Sequence, residues 1–547
     1  MPDRIESFKL VCEGGLNSTE NHLDLSENSP GAATRLVNYE PSLFGGYRRL
    51  EGYGEFDPDH PEVDDGTGSA EGPVLCVAVF RGNILGQSYV IAARKDVGAN
   101  SYSFYKHTFG LGWEVMPTPT TRLIEQGTSV VKRVRHVQFD FGAGNSIAFV
   151  DGLNKPLVFD GTDFFELTVG GSGGSNSPGG NQVLVAPAIV DVFENHLFLS
   201  GDRVNPSVVA HSAPNNAIDF KLSDGAGQLS IGNPVVQFTP FRNNLFVFGD
   251  NSIKKISADV VSGFVLEPVT ANVGCIARDS VQEIGGDLIF LAPDGLRPVA
   301  GTSRIGDVEL ETISKPIQGR LLDLIKNQDL DALSGAVIRS KSQVRYFFSD
   351  EDTAPTNAIG IVGALANDNG QLSWEFGNLL GIRASCTTSE YIGREEFILH
   401  GDFNGKVYRQ EQGQSFDGRD IVSIYSTPYL DFGDPTIRKV PHKINTFIRA
   451  EGPFTLNLSL QYDWGDQDVA RPSAYDQSTD GAPTVYGGRS ITYGGNNVKY
   501  GGNTRPVMVT DLQGSGYSVR ATFVTSGQSE PFTIQSLVFE FAVAGRR

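Results

Sequence analysis

The sequence is poor in several things that would narrow its chemistry. Only three tryptophans, Trp113, Trp374 and Trp464, occur in 547 residues. Carbohydrate sites often use several aromatic platforms, so this count weighs against that class. The four cysteines, Cys12, Cys76, Cys275 and Cys386, are far apart and form no CxxC pair, which speaks against a zinc cluster or a disulfide framework. Cys76 and Cys275 lie in apolar surroundings and read as buried thiols. Eight histidines are scattered without a tight His/Asp/Glu cluster. His196, inside the apolar run VFENHLFLSG, reads as a turn or core residue rather than a ligand. GxSxG, HExxH and Walker-type GxxxxGK[ST] patterns are missing. No apolar run approaches the length of a membrane span. The opening of the chain lacks the charged start and apolar stretch of a secretory signal. These absences set the expectations of no enzymatic activity, no cofactor, no metal site, no membrane span and synthesis in a reducing cytoplasm.

What is present is β-forming. Phe (34) and Tyr (17) are abundant, Val and Ile run throughout, and Gly (64) and Pro (28) supply turns. With 39% hydrophobic residues the chain can build cores, but 547 residues exceed what one core holds unless the fold repeats. The formal net charge of −20 disfavours a phosphate-gripping surface, since nucleic-acid binding is driven by Lys and Arg. It is compatible with a wall that DNA slides past, because like charge repels the polymer.

A short apolar run ending in a polar turn recurs along the chain: SYVIAARKD, NSIAFVDG, NHLFLSGD, NNLFVFGD, GDLIFLAPDG, VRYFFSD and EEFILHGDFNG. Their aspartates, Asp96, Asp151, Asp202, Asp250, Asp294, Asp350 and Asp402, are spaced by 55, 51, 48, 44, 56 and 52 residues. One strand and turn per 44–56 residues is the period of a four-stranded propeller blade. LVFDGTDFFEL (157–167) adds a hairpin with an Asp-Gly turn, and KVYRQEQG (406–413) follows the last copy in the same way. The stretch 313–333 places Ile317, Leu321, Leu322, Leu324 and Ile325 near helical spacing and predicts a helical insertion between blades.

Beyond about residue 425 the period changes to alternating strands of a β-sandwich or barrel-like module. The resulting expectation is an all-β chain: a β-propeller of six or seven blades with one helical insertion near 313–333 and an additional C-terminal β-sandwich-like domain. Its divisions are 1–55, an N-terminal segment joining the propeller or neighbouring subunits, 56–422 and 423–547. The loop 56–73 is acidic and reads as solvated rather than calcium-binding, and 170–182 has linker composition.

Within the last module, VYGGRSITYGGNNVKYGG spaces Tyr486, Tyr493 and Tyr500 seven residues apart, each followed by Gly-Gly. So many glycines exclude a helix, and tyrosines on Gly-rich hairpins suit a contact surface or a strand pair packing on its own domain. The adjacent Glu395 and Glu396 cannot flank one glycosidic bond, because neighbours on a strand face opposite ways. The densest basic run, KRVRHV (132–137), reads as an interface or solvated strand.

The residues Gly14, Gly15, Leu16, Asn17, Asn38, Arg48, Arg49, Gly52 and Tyr53 form a pattern: a Gly-Gly-Leu-Asn start, a stretch ending in Asn, then Arg-Arg ahead of Gly-Tyr. This resembles the opening of tail proteins of short-tailed bacteriophages. The runs 186–220, 239–256, 274–299 and 532–547 are similar, in order, to later segments of tail tubular B proteins of T7-like phages. The resemblance implies a virion structural protein, made in the host cytoplasm and located in the tail. It implies a closed ring, often a homohexamer, forming a nozzle or hub below the portal and adaptor, in contact with them and with fibres or spikes. The ring retains the packaged genome and conducts DNA through its lumen at ejection without specific binding. The packaged-DNA stabilisation proteins of P22-like phages fill a neighbouring role. The alternative left open by the residues is a propeller that binds or cleaves polysaccharide.

Overall fold

A computed structural model describes residues 5–42, 44–64, 72–82, 88–169, 183–259, 263–299, 312–368, 371–479 and 506–546. Seven small antiparallel units succeed one another along the chain, the sixth continuous with a larger sheet. Blade one is Val74–Phe80, Tyr89–Lys95, Ser101–Thr108 and Gly112–Met116. Blade two is Arg135–Asp140, Asn145–Val150, Leu157–Phe159 and Phe164–Glu166. Blade three is Ile189–Phe193, His196–Ser200, Val208–His211 and Gly227–Ser230. Blade four is Val235–Phe241, Asn244–Gly249, Ile253–Asp259 and Gly263–Thr270. Blade five shows Gln282–Ile284, Asp287–Ala292 and Gly295–Pro298 among the described residues. Blade six is Leu333–Ile338, Gln343–Phe348, Ile359–Asp368 and Gln371–Leu380. Blade seven is Cys386–Ile392, Glu395–Gly401 and Val407–Gln410.

The first strand of each blade is innermost. These strands neighbour one another in a circle, and that of blade seven packs back against Val74–Phe80 of blade one. The fold is therefore a closed β-propeller, with seven blades. Each of the seven recurrent apolar runs is the second strand of its blade, with its aspartate in the turn that follows. Three of these aspartates cap turn amides: Asp151 accepts from Leu153 and Asn154, Asp202 from Val185, Ala186, Val204 and Asn205, and Asp402 from Asn404 and Lys406. Apolar faces are buried between blades; Leu199 of blade three packs with Val150 of blade two, and Phe248 of blade four with Phe290 of blade five. The helical insertion is Gln318–Asn327 between blades five and six, with Leu321 and Leu324 buried.

The remaining strands form a two-sheet sandwich. One sheet has Phe532–Arg546 at its centre, flanked by Ile437–Ala450 on one edge and by Ile5–Val11 and Tyr47–Arg49 on the other. The other contains Arg35–Val37, Ser423–Ser426, Val519–Thr525, Phe454–Tyr462 and Tyr475–Thr479. Their inner faces share one core, with Ile444, Ile448 and Phe539 from the first sheet and Leu458, Ala521 and Phe523 from the second.

Residues 1–55 do not form a body of their own. Arg35–Val37 bridges the sandwich to the last strand of blade six, where Val37 pairs in parallel with Asn378. Tyr53–Glu55 then adds the fourth, outermost strand of blade seven beside Val407–Gln410. A strand from the start of the chain thus completes the last blade. Residues 170–182 and the tyrosines Tyr486, Tyr493 and Tyr500 lie outside the described residues, as does the centre of the acidic loop 56–73.

Candidate functional site: the axial cavity

The innermost strands surround an axial cavity of about 200 Å³, to which all seven blades contribute. A duplex whose major groove alone is about 12 Å wide cannot thread it.

The cavity is crossed by an ionic lock. Arg133 and Arg135 enter from blade two, and both reach Asp279, ahead of blade five: Arg133 Nη1 donates at 2.7 Å, Arg135 Nε at 2.8 Å and Arg135 Nη2 at 2.7 Å. Arg133 also donates to the carbonyls of Leu333, Ala332 and Ser385 and so ties in blades six and seven. Burial alone would raise the Asp279 pKa, but Arg135 and Arg133 outweigh it and hold the carboxyl well below the usual range. Arg133 and Arg135 of the basic run 132–137 thus line the axial cavity rather than a solvated strand face, while Lys132 is exposed. The two arginines converge on a carboxylate far along the chain, which no local pattern could announce.

Two other titratable groups line the cavity. Asp191, on the inner strand of blade three, receives one hydrogen bond, from the Val192 amide at 2.8 Å, and burial pushes its pKa up to about 7. His136 lies 3.4 Å from Cys76 Sγ, and burial lowers it to about 4 despite Asp279 nearby. Gln237 also lines the space, and its buried Oε1 has no hydrogen-bond partner. Among the described residues no group of three or more His, Cys, Asp or Glu side chains could hold a metal ion.

The other residues singled out in the sequence have specific neighbours. Glu395 bonds Arg409 at 2.5 Å, while Glu396 caps the amides of Arg339 and Ser340. His196 packs at 5.2 Å against His211, both rings bonding the Ser212 carbonyl. All four cysteines are buried free thiols.

The residues of the Gly-Gly-Leu-Asn to Gly-Tyr pattern are junction residues. Asn38, at a φ of 52°, bonds the carbonyls of Leu380 and Val422 through Nδ2 and the Leu380 amide through Oδ1. Buried Arg49 donates to the carbonyls of Ile421, Gly527 and Ser529. A Cβ on Gly52 would sit 2.1 Å from the Ser415 carbonyl oxygen. Tyr53 is buried, stacks on Phe416 and accepts a 2.6 Å hydrogen bond from Arg419.

No protein-family model and no curated protein matches the chain. Solved structures do. An ancestral GH74 enzyme aligns with a TM-score of 0.39 at 10% identity, over 69% of this chain and 50% of its own. Puromycin hydrolase aligns with a TM-score of 0.37 at 13% identity, over 70% and 62%. The extracellular domain of a hybrid two-component system from B. thetaiotaomicron aligns at 0.35 and 10%, over 65% and 40%. The chain thus spans half or less of the length of the first and third of these. The expectation that the chain is not an enzyme is contradicted by these neighbours, which include a GH74 enzyme and puromycin hydrolase.

Proposed function

We propose that the chain is a tail subunit of a short-tailed phage, assembling with copies of itself, most simply as a hexamer, into a nozzle or hub ring in contact with adaptor and fibre proteins. The observation that carries this reading is the ordered resemblance along the sequence. Its first block coincides with the segment that ties propeller to sandwich through Asn38, Arg49 and Tyr53. A subunit that bears load during DNA ejection needs its two bodies joined rigidly, and this segment joins them. The net charge of −20 suits a lumen wall that repels DNA. Electron microscopy of the purified chain and of virions labelled against it tests the proposal. Closed rings and tail labelling are expected; a monomer absent from the particle sinks it.

A second reading, a propeller that binds or cleaves polysaccharide, is favoured by the axial cavity. Two carboxyls with differently shifted pKa values line it, Asp191 pushed up to about 7 by burial and Asp279 held well below the usual range by Arg135 and Arg133, and such a division is what acid–base pairs use. Release of reducing ends from polysaccharide, lost in Asp191→Asn, would support it. Equal release by the variant would remove it.

A further inference from the structure

The sandwich carries a second concave feature, away from the propeller axis. At the end of strand Phe454–Tyr462 the chain turns through Asp463 and Trp464, both left-handed, with φ of 47° and 60°. Non-glycine residues rarely adopt this conformation, and a bulky aromatic there is strained unless its surroundings enforce it. They do: Asp463 Oδ1 accepts hydrogen bonds from the amides of Tyr517 at 2.6 Å and Ser518 at 3.1 Å. The result displays the indole, which is 51% exposed although it stacks on Tyr429 at 5.1 Å and stands nearly perpendicular to the His22 ring, 5.1 Å away.

Trp464 forms one wall of a groove of about 690 Å³ whose polar lining includes Asp431, Arg438, Asp466 and Ser518. Ser518 is 7% exposed, and its buried hydroxyl has no partner within the protein. A groove with a displayed aromatic face and an unspent hydroxyl has the two things a sugar ring needs. The C–H face of a pyranose, slightly positive, lies on the negative face of an indole, and its hydroxyls exchange hydrogen bonds with carboxylates, guanidinium and serine. A purely apolar ligand would leave those polar groups unpaired. The carboxylates Asp431, Asp463 and Asp466 outnumber Arg438, which disfavours a phosphate or any anionic ligand.

We infer that this groove binds a ring of an uncharged or amino-bearing saccharide, with Trp464 as the stacking platform and Ser518 as a hydrogen-bond partner. The inference depends on neither reading above, since a tail subunit and a polysaccharide-processing protein could both use such a site.

The test is saturation-transfer NMR of the full chain with tetrasaccharides of glucose, galactose, mannose, N-acetylglucosamine and glucosamine. At least one should bind saturably. Trp464→Gly, which suits the left-handed backbone and removes the ring, should weaken that binding tenfold or more while the protein still melts cooperatively. Ser518→Ala, which removes only a hydroxyl, should weaken it severalfold. Binding of none of the five to the wild type, or binding unchanged in Ser518→Ala and in a folded Trp464→Gly, overturns the inference.

Discussion

Single residues hold this molecule where the chain must do something costly. Asn38 occupies left-handed backbone while its amide serves three backbone partners from two distant segments. Asn38→Ala keeps the backbone demand and strands those buried groups, so a loss of about 3 kcal/mol is expected in chemical denaturation. Asp191 gives a pH signature. Its folded pKa, about 7, lies above the ordinary carboxylate value of 3.8, so the native state holds a proton that the unfolded state has released. The stability this contributes is complete below 3.8 and is lost as pH rises through 7. His136 acts oppositely, because its folded value of about 4 lies below 6.5. The measurement that isolates Asp191 is therefore a difference. Asp191→Asn should become more stable relative to wild type as pH rises from 4 to 7, and a flat difference would contradict the burial argument.

At the scale of elements, the turn after each second strand and the closing strand matter most. Asp202 accepts four backbone amides, and although burial opposes it, they hold its pKa below normal. Asp202→Ala should cost roughly 2–3 kcal/mol by thermal melting. The closing strand Tyr53–Glu55 has a different role, because it supplies the outer strand of blade seven. Gly52, just before it, passes so close to Ser415 that any side chain must displace backbone. Gly52→Ala is expected to lose about 1–3 kcal/mol and to speed amide exchange first in Val407–Gln410. The seven aspartate-ended runs made the blades legible in the sequence, because every blade repeats the same local demand: a buried apolar strand, then a polar turn. The closing strand had no such mark, since so short an edge strand looks like loop.

Over the whole molecule, propeller and sandwich are welded by a buried ionic cluster. Arg345 of blade six bonds Glu40 at 2.9 Å and Glu411 at 2.5 Å; Lys341 joins the same two carboxylates; and Arg48 links Glu40 and Glu51 to Glu451 of the sandwich. Burial opposes ionisation of Glu411, but Arg345 and Lys341 prevail and hold its pKa far below normal. Removing one partner from such a cluster leaves buried charge uncompensated. Arg345→Met should therefore cost roughly 3–5 kcal/mol. Calorimetry is expected to show one unfolding transition in the wild type and two in the variant, as the sandwich and the propeller lose their common anchor. A single transition merely shifted downward would show that the remaining ties, Arg35–Val37 and Asn38 among them, are enough to couple the bodies.

By itself the sequence determined the local alphabet: strands rather than helices, an evenly recurring strand-and-turn unit ending in aspartate, one helix within 313–333, and a change of pattern after about residue 425. These follow from periodicity and turn chemistry, which act over short stretches. Only the tertiary structure decided what long-range closure decides. It set the count of seven blades, sent strands of the N-terminal segment into both bodies, and placed Arg133 and Arg135 on Asp279 across the axis. It also turned Trp464 outward over a groove. Pairings between residues far apart in the chain are selected by the shared burial of apolar faces and the neutralisation of buried charge, and neither leaves a signature in any short stretch of sequence.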